Sequence, residues 1–338
     1  MVAETTADAE RVAQTFHLLD DGRDESFDEL ARAAFAFQVA HNPVYQRFCG
    51  GHRWAGWDNA PHLPVAAFKE VAVTAFDPSL AERVFLSSAT GACDRRSRHY
   101  VRSLDVYRRS FETAFARRFG GGPVTLVAHL PRYVEQGEAS SLLTMVDGLM
   151  RRFGNADSRF FLEDVEELHA AIEASRRSGE PLILFGAAFG LLDLVESGPI
   201  SLPPDASVIE TGGMKTRRRE INRQTLHDRL ADGFRIPRPQ IHSEYGMCEL
   251  LSQCYTSGDR VFRTPPWMRF SVRDPEMPSR RVPDGEEGVL ALFDLANVYS
   301  ACAILTEDRA VARDGGFEVL GRLSAAELRG CNHLLARV

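Results

Sequence analysis

The stretch Pro181-Leu182-Ile183-Leu184-Phe185 is apolar at every position, and it indicates the fold more clearly than any other segment. A strand that is apolar on both faces is typical of a parallel sheet with helices on each side. Further short strands are predicted at 124–128, 208–209 and 240–242. The helices predicted to alternate with these strands lie at 142–152, 163–177 and 217–230. This alternation predicts an α/β protein.

The two ends of the chain have different patterns. The first 50 residues read as helix, with apolar positions near helical spacing from Phe27 to Phe37 and a stop at His41-Asn42-Pro43. The first elements predicted within the α/β core are a strand at 84–86 and a helix at 103–119. After Val261 the pattern changes to short β segments, at 268–273, 288–294, 299–305 and 317–320. We therefore predict one domain in three parts: a helical segment 1–60, an α/β core 61–260 and a β-rich part 261–338.

Composition excludes several classes of protein. The chain has 338 residues and a net charge of −7, so no overall positive field attracts nucleic acid or an anionic membrane. The longest apolar run, 181–192, is shorter than the roughly 20 residues that span a bilayer. Residues 1–21 are acidic and lack the apolar stretch of a secretory signal. The six cysteines show no CxxC spacing, so we expect a cytoplasmic protein with reduced thiols and no zinc site.

The loop Ser87-Ser88-Ala89-Thr90-Gly91-Ala92 follows the predicted strand at 84–86. Small hydroxyl residues and glycine after a strand can surround phosphate oxygens with N–H and O–H groups. No Gly-Lys-Ser/Thr follows, so this is not the P-loop pattern. Taken alone, the loop is equally well explained as a polar turn between a strand and a helix.

Three further segments contain residues suited to binding a nucleotide. In Glu210-Thr211-Gly212-Gly213-Met214-Lys215 the glycines permit close backbone approach, and Lys215 is one of only two lysines in the chain. In 241–250, Tyr245 can stack on a base and Glu249 can hold Mg²⁺. Downstream, Asp308 can accept hydrogen bonds from ribose hydroxyls, and Arg322 can add a donor. Each segment also has a plain structural reading, as a turn, a buried tyrosine or surface charges.

In this order and at these spacings, the segments resemble the adenylate-forming superfamily, and most closely its LuxE family of acyl-protein synthetases. The resemblance runs from about residue 40 to the end of the chain, and 208–253 is its most specific part. The residues that carry it are His62-Leu63-Pro64-Val65, Phe68-Lys69, Ser87-Ser88-Ala89-Thr90-Gly91, Glu210–Lys215, Ser243–Leu250 and Arg329-Gly330-Cys331. It implies an α/β core of stacked sheets with flanking helices and a β-rich C-terminal part, without the mobile C-terminal lid domain of most adenylating enzymes.

The resemblance implies that a carboxylate, in particular that of a fatty acid, attacks the α-phosphate of ATP to give acyl-AMP and pyrophosphate. Its implied phosphate ligands are Ser87, Ser88, Thr90 and Gly91. Gly212 and Gly213 would line the nucleotide and acyl pocket, followed by Glu244, Tyr245 and Gly246, with Tyr245 on adenine. Asp308 and Arg322 would hold the ribose, Glu249 the magnesium ion, and Lys215 would act in catalysis. Ala89 stands in place of a family glycine, and Cys248 in place of a threonine.

The resemblance also implies an acyl acceptor near the C-terminus. Cys331 stands where the family carries a cysteine that receives the acyl group as a thioester, and Arg329 and His333 can favour its thiolate. The acyl group would then pass to a partner protein, such as an acyl reductase or a carrier protein. Two alternatives remain open: direct transfer from acyl-AMP to a carrier-protein thiol, CoA or an amine, with Cys331 structural, and an inactive nucleotide-binding scaffold.

Overall fold

The computed structural model describes residues 2–19, 24–88, 95–130, 139–162, 164–198, 200–212 and 221–323. The chain divides into two compact units. The first unit comprises 1–110, 247–253 and 263–338, and the second comprises 111–246 and 254–262. The segment boundaries predicted at residues 60 and 260 stay a prediction.

The strands are β1 (Leu63–Pro64), β2 (Arg83–Leu86), β3 (Arg98–Val101), β4 (Thr125–His129), β5 (Arg159–Phe161), β6 (Leu182–Ala187), β7 (Ser207–Thr211), β8 (Ile241–Tyr245), β9 (Cys254–Tyr255), β10 (Met268–Arg273), β11 (Glu287–Asp294), β12 (Ala303–Arg313) and β13 (Gly316–Arg322). The α-helices span Val2–Thr15, Asp24–His41, Pro43–Cys49, Ala67–Glu70, Leu104–Phe119, Ser141–Phe153, Val165–Ser178, Ala188–Ser197 and Arg223–Phe234.

The second unit is built on a sheet of strand order β5-β4-β6-β7-β8-β9. Its first five strands pair in parallel, and β9 runs antiparallel to β8. The side chains of Leu182 to Phe185 are all buried, as the apolar stretch predicts for a covered central strand. Phe185, Phe189, Leu191 and Leu192 are buried as well, and the last three belong to the apolar core of this unit. The predicted α/β alternation is thus confirmed.

Two predicted boundaries in this unit are wrong. The helix predicted at 217–230 begins, within the described chain, at Arg223, because the Asn222 side chain accepts from the Thr225 N–H and caps it. The strand predicted to end at His242 continues to Tyr245. It continues because Glu244 pairs with Thr211 on one side and Tyr245 with Cys254 on the other.

The first unit carries a mostly antiparallel sheet of order β1-β12-β11-β10, with β13 on β12, and a separate β2-β3 hairpin. The β-rich C-terminal part is confirmed, although the strand predicted at 299–305 lies at Ala303–Arg313. The N-terminal helix Asp24–His41 ends where predicted, and Asn42 caps the helix that follows. Within the described ranges, no helix combines the length and apolar character needed to cross a membrane.

Candidate functional site

In the first unit, the turn that carries Glu249 is held by buried side chains from two other segments. The Leu250 N–H closes the turn on the Met247 carbonyl at 3.1 Å. Asn297 donates from Nδ2 to the Glu249 carbonyl at 2.8 Å and accepts the Leu251 N–H at 3.0 Å. Asn297 is fully buried, so it fixes the backbone on both sides of Leu250 without competition from water.

His99 holds the same turn one residue earlier. Its Nδ1 lies 2.9 Å from the Cys248 carbonyl oxygen, which can only accept, so Nδ1 carries the proton. Burial lowers the pKa of His99 to about 4, which keeps the ring neutral near pH 7. Nε2 is then the acceptor for the Ser300 hydroxyl, at 3.1 Å. The ring is therefore fixed at both nitrogens and fixes the Cys248 peptide.

The residue Glu249 is only 7% exposed. Burial raises its pKa, and the Ser97 hydroxyl and the positive charges of Lys69 and Arg322 act in the opposite direction. The Ser97 hydroxyl is itself buried and forms no hydrogen bond of normal geometry within the described residues. Lys69 and Ser97 were not predicted as site residues. Two signals were available for Lys69: the chain has only two lysines, and Phe68-Lys69 is one of the pairs that carry the family resemblance.

The predicted ribose pair lies together on adjacent strands. Asp308 on β12 is directly opposite Arg322 on β13, and Arg322 Nε is 3.6 Å from Asp308 Oδ1. Arg322 also lies 3.7 Å from a Glu307 oxygen. The Asp308 N–H donates to the Thr306 hydroxyl at 3.1 Å, which fixes the backbone before the acidic residue. The first unit thus brings Glu249, Asp308 and Arg322 into one electrostatic group.

The stem of the predicted phosphate loop also belongs to this unit. The Ser87 N–H donates to the Ser97 carbonyl at 3.1 Å, and the Ser97 N–H donates to Ser87 Oγ at 3.0 Å. Ser88 is exposed at the start of the loop. The remaining predicted phosphate ligands, Thr90 and Gly91, and the substituted Ala89 lie outside the described residues.

In the second unit, Glu244 lies near the carboxyl end of the parallel sheet. Thr211 donates from Oγ1 to Glu244 Oε2 at 2.6 Å. Burial, with a contribution from the charge of Glu210, raises the pKa of Glu244 to about 7, against the effect of the Thr211 hydroxyl. Gly212 follows Thr211, is exposed, and has open space where a side chain would project. Such strand ends are where open α/β sheets bind ligands.

Tyr245 follows Glu244 and is half-buried. Its ring lies 5.6 Å from that of Phe262, at an interplanar angle of 58°. The Arg223 guanidinium lies over the Phe262 ring at 4.8 Å. Phe262 was not predicted as part of the site, because it follows the motif by a stretch of chain with no nucleotide-binding pattern. Phe262 is itself buried and supports the Tyr245 ring from behind, so of the two rings only that of Tyr245 can offer a surface to a flat base.

A buried polar network connects β7, β8 and the helix Arg223–Phe234. His227 Nε2 lies 3.0 Å from Ser243 Oγ and 3.3 Å from Glu210 Oε1, and Ser243 donates to the same carboxylate oxygen. All three side chains are almost completely buried. The network resembles a catalytic Ser-His-acid set only in composition. Ser243 and Glu210 both contact the same imidazole nitrogen of His227, and the three side chains are closed off from solvent. It holds the two strand ends that carry Thr211 and Glu244.

Several predicted residues lie outside the described chain, namely Gly213, Lys215, Cys331 and His333. Gly246, another of the predicted nucleotide-binding residues, directly follows β8. No cluster of three metal-ligating side chains occurs among the residues that the structure describes. A single carboxylate such as Glu249 still fits Mg²⁺, because this ion commonly takes one or two carboxylates and completes its shell with phosphate oxygens and water.

The fold is that of the adenylate-forming ligases. The structure is similar to 2-hydroxyisobutyryl-CoA ligase in its postadenylation state, with a TM-score of 0.61, 12% sequence identity, and coverage of 88% of this chain and 68% of that one. It is also similar to ATP-bound MatB from Rhodopseudomonas palustris, with a TM-score of 0.52, 16% identity, and coverage of 71% of this chain and 47% of that one.

The family model described as "Acyl-protein synthetase, LuxE" matches residues 152–338, which is more than half of the chain. The chain belongs to this family, and the predicted resemblance is confirmed. It is therefore a ligase of the AMP-forming type.

Two relatives carry the name long-chain-fatty-acid–luciferin-component ligase. The Vibrio harveyi protein is 20% identical over 337 residues, covering 89% of this chain and 85% of the relative. The Aliivibrio fischeri protein is 25% identical over 142 residues, covering 39% of this chain and 37% of the relative.

Proposed function

We propose that this protein activates a fatty acid with ATP and transfers the acyl group through Cys331 to an acceptor protein. Membership of the LuxE family supports the reaction type. The names of the two relatives support a long-chain fatty acid as the substrate. The observation that carries the nucleotide site is the grouping of Glu249, Asp308 and Arg322 in one unit, since these residue types suit a magnesium ion and a ribose.

In the first step, a carboxylate oxygen of the acid attacks the α-phosphorus of ATP. The bond to the bridging oxygen breaks, and pyrophosphate leaves with the electron pair. Asp308 accepts hydrogen bonds from the ribose, and Arg322, whose Nε lies 3.6 Å from Asp308 Oδ1, orients that carboxylate. The half-buried Tyr245 ring, packed against the buried Phe262, would offer the adenine a stacking surface. Glu249 would hold a magnesium ion, which would supply charge neutralisation for the phosphates.

In the second step, the Cys331 thiolate attacks the acyl carbonyl of acyl-AMP, and AMP leaves. The thiol proton passes to His333 or to water. The mixed anhydride is the more activated acyl compound, so the protein has to supply only proximity and a thiolate. The thioester then passes its acyl group to a nucleophile of the partner protein.

The first test uses the whole chain with ATP, Mg²⁺ and a series of straight-chain fatty acids, with short-chain acids for comparison. Pyrophosphate release that depends on a long-chain acid is the expected result. ATP binding without pyrophosphate release from any acid would favour the scaffold alternative instead.

The second test compares Cys331→Ser with Cys49→Ser. The Cys49 thiol is a matched control, because burial raises its pKa to about 11 and makes it a poor nucleophile. Wild type and Cys49→Ser should both accumulate a hydroxylamine-labile acyl-enzyme, detected by intact mass. Cys331→Ser should release pyrophosphate but stay unacylated. A thioester on Cys331→Ser would exclude this cysteine as the acceptor, and acyl-AMP formation without any acyl-enzyme in wild type would favour direct transfer.

A further inference from the structure

The short helix Ala67–Glu70 carries Lys69, one of the two lysines of the chain. The segment before it is attached to the main sheet of the first unit. Leu63 of β1 pairs with Ile304 of β12, and the Val65 N–H donates to the Leu305 carbonyl at 2.9 Å. Strand β12 is also the strand of Asp308. The pairing therefore holds the helix beside the strand that carries the predicted ribose ligand.

Both neighbours of Lys69 in the helix attach it to parts of the candidate site. Phe68 is fully buried, and its ring packs edge-on against that of His99 at 5.5 Å. His99 in turn holds the Cys248 peptide, next to Glu249. On the other side, Glu70 forms an ion pair of 2.6 Å with Arg95, which follows the predicted phosphate loop. The helix is thus tied both to the Glu249 turn and to the end of that loop.

No residue that the structure describes pairs directly with the charge of Lys69. Within the described part of the chain, the Lys69 ammonium forms no ion pair or hydrogen bond, although its positive charge acts to lower the pKa of Glu249. The buried Ser97 hydroxyl, which also acts on Glu249, is a second polar group without a partner of normal geometry there. Lys69 is a half-buried residue and the Ser97 hydroxyl is buried, and both act on one carboxylate without a hydrogen bond of normal geometry to any described residue, so an incoming anion would give both groups a partner.

We propose that Lys69 and Ser97 bind the β- and γ-phosphates of ATP, an inference that rests on the proposed adenylation function. A lysine ammonium is a compact point charge suited to phosphate oxygens. As the α-phosphorus bond to the bridging oxygen breaks, negative charge grows on the departing pyrophosphate. Lys69 stabilises that charge by hydrogen bonds without giving up its proton. Glu249 would hold a magnesium ion at the same phosphates, so the Lys69 ammonium and the Glu249 carboxylate are not required to neutralise each other.

The test measures equilibrium binding of ATP, pyrophosphate and AMP to the whole protein. Lys69→Met should weaken binding of ATP and pyrophosphate by roughly ten- to a hundred-fold, the usual loss for one charged hydrogen-bonding partner. AMP lacks the β- and γ-phosphates, so its affinity should stay within about threefold of wild type. Lys69→Arg should recover part of the ATP affinity because it restores the positive charge.

Two further variants guard against misfolding and against general charge effects. Ser97→Ala removes a hydroxyl whose side-chain interaction among the described residues is with Glu249, and it should also weaken ATP binding selectively over AMP. Arg53→Met removes one positive charge from an exposed position and should bind ATP as wild type does. Equal ATP affinity in Lys69→Met and Arg53→Met, or a parallel loss of ATP and AMP, would overturn the role of Lys69. Failure of wild type to bind ATP would instead overturn the proposed function.

Discussion

Replacing Asn297 by alanine should destabilise the first unit by about 3–5 kcal/mol. The substitution removes three hydrogen bonds, to the Glu249 carbonyl at 2.8 Å, to the Ala301 carbonyl at 3.2 Å and from the Leu251 N–H at 3.0 Å. These residues are all buried, so water does not readily replace the lost partners. Each buried polar group left unpaired costs roughly 1–3 kcal/mol, and partial relaxation of the turn keeps the total below the largest possible sum.

Urea unfolding followed by tryptophan fluorescence measures this effect in the right part of the molecule. The three tryptophans, Trp54, Trp57 and Trp267, all belong to the first unit, so their signal reports its unfolding. With a slope of about 2 kcal/mol per molar urea, the midpoint should fall by roughly 1.5–2.5 M.

Asn59→Ala is the matched control for this substitution. Asn59 is exposed, and its side chain donates one hydrogen bond to the Ala55 carbonyl at 3.0 Å. Water can replace that bond, so the change in stability should stay within about 0.5 kcal/mol. A midpoint shift for Asn297→Ala no larger than that of the control would refute the argument that this side chain holds the Glu249 turn.

Three further predictions concern nucleotide binding and pH. Asp308→Ala should weaken ATP binding by roughly ten- to a hundred-fold in calorimetry, because ribose loses a charged acceptor. Tyr245→Ala should also weaken ATP binding, while Tyr245→Phe retains the stacking surface and most of the affinity. Burial raises the pKa of Asp294 to about 6, from an ordinary value of 3.8. The folded state therefore favours the protonated form of Asp294. The contribution of this group to the free energy of unfolding is fully present below about pH 4, and it is lost as the pH rises through 6. Asp294→Asn should remove that part of the pH dependence of the urea midpoint.

Each of these predictions has a result that contradicts it. If a folded Asp308→Ala protein binds ATP with wild-type affinity, the Asp308–Arg322 pair has only a structural role. Equal ATP affinity in Tyr245→Ala and Tyr245→Phe would argue against stacking. The same slope of stability against pH in wild type and Asp294→Asn, between about pH 4 and 7, would show that Asp294 does not titrate as its burial implies.

The sequence alone determined which local elements form, although it misplaced the ends of several of them. The parallel core was predictable from the apolar stretch 181–185, because a strand covered on both faces needs apolar side chains at every position. Asp308 and Arg322 were predictable as a pair, since they lie on strands joined by a short turn. The family was predictable for a related reason: its motifs are short, and their order along the chain survives large changes elsewhere.

Only the tertiary structure decided what surrounds Glu249. The hydrogen bond from His99 to the Cys248 carbonyl joins residues 149 positions apart, and no periodicity or spacing encodes that meeting. Asn297 reads in the sequence as an ordinary turn residue, yet burial makes its three hydrogen bonds decisive for the turn. Lys69 and Ser97 likewise gain significance only because strand pairing and ring packing bring separate segments to one carboxylate. Local sequence patterns indicate which backbone conformation a segment prefers. The polar neighbours of a buried group instead depend on how segments distant in the sequence pack together.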